Sequence, residues 1–224
     1  MIIAEQKPFQ SIVQNLAGYN RVLILGCGTC VTVCMAGGEK EVAVLAEQIR
    51  LYQRELSEED RYQIVEATIE RQCDREFFAP VEELIKDSDC VLSMACGVGV
   101  QHISEHFTDK IVIPALDTKF FGATEEPGTW VERCAGCGSC ILDLTGGICP
   151  VARCSKSLFN GPCGGSQEGA CEISRDVECA WQLIYDRLKT LGRLDSLEKM
   201  IEIKDWTTAR DGGPRKVVRE DVKA

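Results

Sequence analysis

Six cysteines lie within one glycine-rich segment of the chain, between Arg133 and Gly165. They are Cys134, Cys137, Cys140, Cys149, Cys154 and Cys163. Two residues separate each of the first three, and this C-x2-C-x2-C ladder lets successive sulfurs turn towards a single centre. Thiolates are soft, anionic ligands that suit iron–sulfur clusters and zinc. The segment is therefore predicted to bind a metal.

The spacing of these cysteines favours an iron–sulfur cluster over zinc. The ladder opens like the bacterial ferredoxin pattern, in which a Cys-Pro pair follows three residues later. Here eight residues separate Cys140 from Cys149-Pro150, so Cys149 would ligate the same cluster, a neighbouring site or nothing. Zinc sites usually pair two separated C-x2-C knuckles, or one knuckle with histidines, and neither arrangement is present. Zinc is kept as the alternative.

The first half of the chain alternates between short apolar runs and helical patterns. Strands are predicted over 21–26, 62–69, 90–94 and 110–115. Helices are predicted over 8–17, 39–56, 80–86 and 98–107. Such alternation indicates βαβ units and a parallel sheet with helices on both faces. We therefore predict an α/β fold whose first part, from about residue 18 to 118, is a Rossmann-like domain.

Five further cysteines follow the first three predicted strands. Cys27, Cys30 and Cys34 follow the first strand, Cys73 the second and Cys96 the third. Ligands of such sheets collect outside the carboxyl ends of the strands, so these thiols are expected at one edge. The pattern predicts a second metal site, most simply a [4Fe–4S] cluster in which Cys34 or Cys73 joins the other three. The alternative is that they are buried apolar thiols, as we expect of Cys90, which lies inside a strand.

Competing motifs in this half are weaker. The sequence from Gly26 begins like the dinucleotide fingerprint, but Val31 stands where its third glycine or alanine belongs. The spacing C-x2-C-x3-C reverses the order found in radical-SAM proteins. His102 and His106 are four residues apart, which suits metal binding, but a solvated helix face is the simpler interpretation. Neither nicotinamide binding nor histidine ligation is favoured.

Composition and charge narrow the class of protein. The 14 cysteines are far more than a core needs, and the N-terminus lacks the features of a signal peptide. A reducing cytoplasm is therefore expected, where thiols stay available to metals. No apolar run approaches the roughly 20 residues of a membrane helix. The net charge of −10 opposes binding to phosphate backbones, so neither a membrane span nor a nucleic-acid partner is expected.

The chain is predicted to hold three segments. The first, 1–120, is the α/β domain, and the turn-rich stretch 120–130 marks its end. The second, 121–192, is a small cysteine-rich metal-binding domain with a helix from Ala180; Cys171 and Cys179 could complete a site there. The third, 193–224, holds a short helix near 195–203 and a polar tail, expected to be disordered alone or to order on a partner.

Longer motifs link the two cysteine groups to one family. They are GCGTC-x3-C-x2-GGEKEV from Gly26, ERQCD-x-EF from Glu70, ACG-x-GVQ from Ala95, CAGCGSC from Cys134, LTGGICPVARCSKSLFNGPCGG from Leu144 and CAWQLIYDRL from Cys179. Together they resemble the methylenetetrahydrofolate reductase C-terminal domain family over residues 20–192. As a free-standing chain the sequence is similar to the small iron–sulfur subunit of two-subunit reductases from bacteria that use the acetyl-CoA pathway.

The resemblance implies a role and a partner. In that family the catalytic subunit is a TIM barrel that carries flavin and folate, and the small subunit binds metal centres and docks against it. The expected cofactors are two [4Fe–4S] clusters, with zinc possible at one site. They would relay electrons from a donor such as ferredoxin, or a further redox subunit, to the partner's flavin. The alternatives are a structural, partly zinc-binding scaffold of the same complex, and an independent nicotinamide-dependent oxidoreductase.

Overall fold

The computed structural model of the protein describes residues 1–222. The chain divides into two units, Met1–Trp130 and a second unit that begins at Val131. The cut falls inside a strand, Thr129–Cys134. The segment limits proposed from the sequence, at residues 120 and 192, stay predictions.

The strands and helices follow one another in a βα order through most of the first unit. The strands are β1 (Ile2–Gln6), β2 (Arg21–Cys27), β3 (Gln63–Ile69), β4 (Cys90–Ser93), β5 (Ile111–Pro114), β6 (Leu116–Glu126) and β7 (Thr129–Cys134). The α-helices are α1 (Phe9–Asn15), α2 (Cys30–Val33), α3 (Glu39–Tyr52), α4 (Glu82–Lys86), α5 (Gly97–His106), α6 (Pro150–Arg153) and α7 (Ala180–Thr190). Short 3-10 turns connect several of them. None of the helices between residues 1 and 222 is both long and apolar enough to cross a bilayer.

A parallel sheet of four strands, in the order β3-β2-β4-β5, forms the centre of the first unit. Successive side chains of a strand point to opposite faces, and β2 follows this rule. Val22 and Ile24 pack in one core cluster with residues of α1, α2 and α3. Leu23 and Leu25 pack in the other with residues of α4 and α5. The predicted α/β fold, with helices on both faces of a parallel sheet, is confirmed.

A second, three-stranded sheet in the order β1-β6-β7 was not predicted. The expectation that residues 120–130 form a turn-rich stretch is wrong for 120–126, which belong to β6. Most side chains of β6 are exposed or half-buried, so the strand lacks the apolar alternation by which strands are recognised. Its antiparallel partner β1 is too short to give a clear pattern, and the pairing contains a register shift between Ile3 and Ala4.

The second unit has little regular structure. Its core cluster holds three buried side chains, Trp181, Ile184 and Leu188, all on the predicted apolar face of α7. Leu191, predicted on the same face, is 43% exposed because the helix ends at Thr190. The helix expected near 195–203 is a 3-10 segment, Leu194–Glu198. Most of this unit therefore consists of turns and loops.

Candidate metal centres

Four cysteines come to the carboxyl edge of the parallel sheet on four separate elements. Cys27 is the last residue of β2, and Cys30 begins α2. Cys73 lies in the loop after β3, and Cys96 is the N-cap residue of α5, just after β4. Cys27 and Cys96 are buried, Cys30 is half-buried and Cys73 is exposed. The βαβ topology thus delivers these thiols to one edge, as the sequence predicted.

The thiol of Cys73 feels the charges of the other three thiols. Burial contributes most to raising the pKa of Cys73, and the charges of Cys27, Cys96 and Cys30 raise it further. Because charge–charge interactions weaken with distance, the four thiols lie in the same region of the sheet edge, although among residues 1–222 they do not have the geometry of a formed metal site. The four thiols are called the edge group from here on.

Cys34 takes a different position. It is buried, and its Sγ donates to the carbonyl oxygens of Ala4 at 3.6 Å and Val31 at 3.7 Å. Burial is the main cause that raises the pKa of Cys34, which disfavours the thiolate. The thiol packs in the same core cluster as Val22 and Ile24. Of the two residues that the sequence offered as the fourth ligand, Cys73 feels the charges of all three other thiols. Cys34 feels that of Cys30 only and donates to backbone carbonyl groups.

A buried glutamine holds the loop that carries Cys73. Gln72 is fully buried, and its Nε2 donates to the carbonyl oxygens of Leu25 at 2.8 Å and Gly26 at 3.2 Å. Its Oε1 accepts a bond of 2.7 Å from the hydroxyl of Ser93. The side chain therefore ties the ends of β2 and β4 to the Cys73 loop. Sequence reasoning missed Gln72, although a polar residue inside the ERQCD motif was a signal for it.

Close packing requires glycine at two positions in the motifs that begin at Gly26 and Ala95. The amide of Cys27 donates to the carbonyl oxygen of Gly37 at 2.9 Å, and a Cβ on Gly37 would lie 1.8 Å from the carbonyl oxygen of Met94. A Cβ on Gly99 would lie 2.9 Å from Cβ of Gln72. Any side chain at either position would push apart the elements that carry the thiols.

Cys90 and the two histidines pack as ordinary core and surface groups. Cys90 is fully buried in β4, and burial raises its pKa to about 12, so the expectation of a buried apolar thiol is confirmed. His102 is half-buried and His106 is exposed. Their rings contact the ring of Phe78 in tilted and edge-on orientations, with ring centroids 5.4 Å and 5.1 Å away. This arrangement agrees with the solvated helix face expected from the sequence.

The ladder cysteines occupy an exposed loop at the start of the second unit. Cys134 and Cys140 are exposed, and Cys137 is half-buried. Gly136 and Gly138 have φ of 62° and 80°, values that favour glycine, so the loop turns sharply between successive thiols. The amide of Gly136 donates to Sγ of Cys134 at 3.3 Å. Residues 134–140 are called the ladder loop.

The C-terminal segment 204–215, called the strap, lies against the ladder loop. Three of its side chains donate to loop carbonyl groups: Lys204 Nζ to Ser139 (3.1 Å), Thr208 Oγ1 to Cys137 (2.9 Å) and Arg215 Nη1 to Gly136 (2.7 Å). A Cβ on Gly138 would lie 2.3 Å from the carbonyl oxygen of Thr208. The tail was expected to be disordered unless a partner ordered it. Instead, the strap contacts its own chain.

The remaining cysteines of the second unit fall into one group and one outlier. A single narrow cavity is lined by Cys154, Cys163, Cys171 and Cys179, which are called the cavity group. Cys149, the N-cap residue of α6, does not line it. Cys171 and Cys179 were noted in the sequence but not assigned as ligands. The Sγ of Cys171 donates to Oγ of Ser155 at 3.5 Å, and this hydrogen bond is the main cause that lowers the pKa of Cys171.

All fourteen cysteines are thiols rather than disulfides. Within residues 1–222, no three or more cysteine, histidine, aspartate or glutamate side chains have the geometry of a formed metal site. The structure thus groups the thiols by region, and binding would require their side chains to turn towards a common point. The donor set itself, thiolates with few competing histidines, fits iron–sulfur clusters and zinc.

One comparison with known proteins gives a family. Comparisons with curated proteins and with solved structures find no match. Residues 113–207 match the family model described as methylene-tetrahydrofolate reductase C terminal. The match includes the ladder loop, Cys149, the cavity group and the first part of the strap. The resemblance inferred from the motifs is thereby confirmed: residues 113–207 of this chain are similar to the methylene-tetrahydrofolate reductase C-terminal family.

Proposed function

We propose that this chain is the iron–sulfur subunit of a methylenetetrahydrofolate reductase complex and relays electrons to the flavin of a catalytic partner subunit. The match of residues 113–207 to the family model supports the assignment of this chain to a reductase complex. The observation that carries the electron-transfer role is the edge group, in which four thiols from distant parts of the chain come to one edge of a rigid sheet. Iron–sulfur clusters are held by four thiolates, and such a cluster supplies one-electron chemistry when bound.

The edge group would hold the first cluster. Cys96 lies at the N-terminus of α5, a helix of ten residues, where the helix dipole stabilises negative charge on the ligands. Burial of Cys27 and Cys96 keeps water away from one side of the site. Gln72 and Gly37 fix the backbone that carries the thiols, so little reorganisation accompanies a change of charge. These are the properties that an electron carrier needs.

The ladder loop would hold the second cluster. Its three cysteines have the C-x2-C-x2-C spacing typical of [4Fe–4S] ligation. Four of the other five thiols of this unit line the cavity, which leaves Cys149 as the fourth ligand by elimination. Lys204 and Arg215 of the strap place two cations beside the loop. Positive charge near a cluster favours its reduced form, so the strap would raise the reduction potential.

The cavity near the carboxyl end of β3 gives little support to independent nicotinamide chemistry. A cavity of about 400 Å³ lies beside Gly28 and the end of β3, near the position where dinucleotides bind in such sheets. Glu39, Glu66 and Glu70 line it, and no lysine or arginine is among the lining residues. Carboxylates repel the pyrophosphate of a dinucleotide. An accessory subunit that passes electrons to its partner agrees better with this surface.

The decisive experiment is purification of the full chain without oxygen, with iron, acid-labile sulfide and zinc measured together. The proposal expects a brown protein with iron and sulfide in equal amounts and an EPR signal after dithionite reduction. A colourless protein with stoichiometric zinc and no iron would contradict the relay and favour the structural scaffold, because zinc has no accessible redox couple.

A second experiment tests the direction of transfer. The reduced chain is mixed anaerobically with the flavin-containing catalytic subunit, and bleaching of the flavin absorbance is followed by stopped flow. The proposal expects bleaching that depends on the iron content of the chain. The isolated chain should not oxidise NADH or NADPH, and such turnover without the partner would instead support an independent oxidoreductase.

A further inference from the structure

The cavity group has a geometry unlike that of the two proposed clusters. Its four thiols line a cavity of about 10 Å³. A cavity of roughly 10–15 Å³ holds one water molecule, so with the side chains in these positions the space has the size of a single small ion. Its lining thiols come from a stretch of the chain that contains one short helix, α6, and the start of α7. Four thiols around one small cavity are the donor set of a closed structural zinc site.

Backbone pairing places two of the four thiols side by side. The amide of Cys171 donates to the carbonyl oxygen of Val177 at 2.8 Å, and the amide of Cys179 donates to that of Gly169 at 2.8 Å. Ala170 forms an antiparallel bridge with Glu178. Residues 170–179 are thus a closed turn with one cysteine near each end. The backbone pairing thus brings Cys171 and Cys179 together across seven intervening residues, more than the two to four that separate the ligand pairs of most zinc sites.

The small core of the second unit gives a physical reason for a stabilising metal site. Its core cluster holds three buried side chains, and Cys154 and Cys179 pack directly against that cluster. A core this small rarely stabilises a fold without a metal or disulfides. An ion bound by the cavity group would join the segments around residues 154, 163, 171 and 179 at the edge of the core. The binding free energy of a structural zinc is then folding free energy.

We propose that Cys154, Cys163, Cys171 and Cys179 bind a single structural zinc ion as four thiolates. With four protein ligands the ion has no open position, so it stabilises the second unit and takes no part in catalysis. The proposal goes beyond the electron-relay function and does not depend on it, because it concerns zinc and a different set of cysteines.

The test combines metal analysis with zinc-edge X-ray absorption on the anaerobically purified full chain. We expect about one zinc per chain with four sulfur neighbours at about 2.3 Å. The variant Cys171→Ala should lose most of its zinc and keep its iron. The matched variant Cys137→Ala, in the ladder loop, should lose iron and keep its zinc.

The wild-type measurement keeps the proposal falsifiable if Cys171→Ala fails to fold. A chain without zinc, or with nitrogen or oxygen ligands in place of sulfur, overturns the proposal. Loss of iron with unchanged zinc in Cys171→Ala also overturns it, because the cavity group would then belong to a cluster. Absence of iron from the wild-type chain would refute the electron relay, and the zinc measurement would still test the zinc site.

Discussion

The two units present their thiols in opposite ways. In the first, two core clusters of 24 and nine buried residues support the sheet, and the edge group is attached to the ends of its strands. In the second, the core cluster has three buried residues, and eight cysteines lie mostly on loops. We therefore expect the first unit to be stable without metal. We expect the second unit to depend on the proposed metal centres for much of its fold, since apolar burial is the main driving force of folding.

The largest expected effect is the response to metal removal. Chelator with a thiol-blocking reagent should unfold the second unit and leave the first unit native. Hydrogen exchange read by mass spectrometry should show lost protection across α7 and retained protection in β2 and β4. The reason is the difference in core size between the units. Equal loss of protection in both units would refute the comparison, as would protection retained in both.

Removing one ligand from each proposed cluster should show that the centres are separate. Cys27→Ala and Cys137→Ala should each lose about half of the iron, because two clusters of equal size are expected. The EPR spectra of the two reduced variants should each lack a different component of the wild-type spectrum. Cys90→Ala is the control and should keep all of the iron, since Cys90 is buried inside β4. Loss of all iron in either cluster variant would contradict two independent sites.

The choice between Cys73 and Cys34 sharpens the description of the edge group. Cys73→Ala should lose the first cluster, whereas Cys34→Ala should keep it and show only a modest fall in thermal stability. The basis is that Cys73 lies near three thiols and Cys34 donates to backbone carbonyls in the core. Iron content and the EPR component assigned by Cys27→Ala are the measurements. The reverse result would show that Cys34 turns outward when the cluster is built.

The strap offers a smaller and more selective effect. Arg215→Met should lower the reduction potential of the ladder cluster and make it lose iron faster in air, because the side chain donates to Gly136 and carries positive charge. The edge cluster should be unchanged. Arg219→Met is the matched control, since Arg219 pairs with Asp221. A redox titration followed by EPR measures both clusters, and equal shifts in the two variants would rule out a specific role for the strap.

The smallest expected effect tests the first unit far from its thiols. Asp89 accepts hydrogen bonds from the amides of Arg21 and Asn20, and these bonds lower its pKa below the ordinary value of 3.8. Its contribution to stability is therefore present above pH 3.8 and is lost as the pH falls through the lower pKa of the folded state. Asp89→Asn should flatten the acid limb of the thermal-unfolding profile of the first unit and leave iron content unchanged. An identical acid limb in both proteins would argue against this contribution.

Prediction from sequence succeeded where local patterns report the structure directly. The run Arg21–Cys27 is apolar at nearly every position because both of its faces are covered, and the helices around it carry clear apolar periods. The alternation of strands and helices implied the parallel sheet, from which five thiols were predicted at one edge. By contrast, β6 has an exposed face along most of its length and no periodicity to recognise. The strap is mostly polar, and only its contacts with the ladder loop reveal its position.

The sequence by itself determined the set of cysteine donors, the α/β order and the resemblance to a family, because residue types, short spacings and long motifs are properties of the chain alone. The tertiary structure decided how the thiols are grouped. It separated Cys73 from Cys34, gathered Cys171 and Cys179 with two distant cysteines around one cavity, and laid the strap over the ladder loop. Such groupings depend on where loops close and which way each side chain turns, and no local period encodes either.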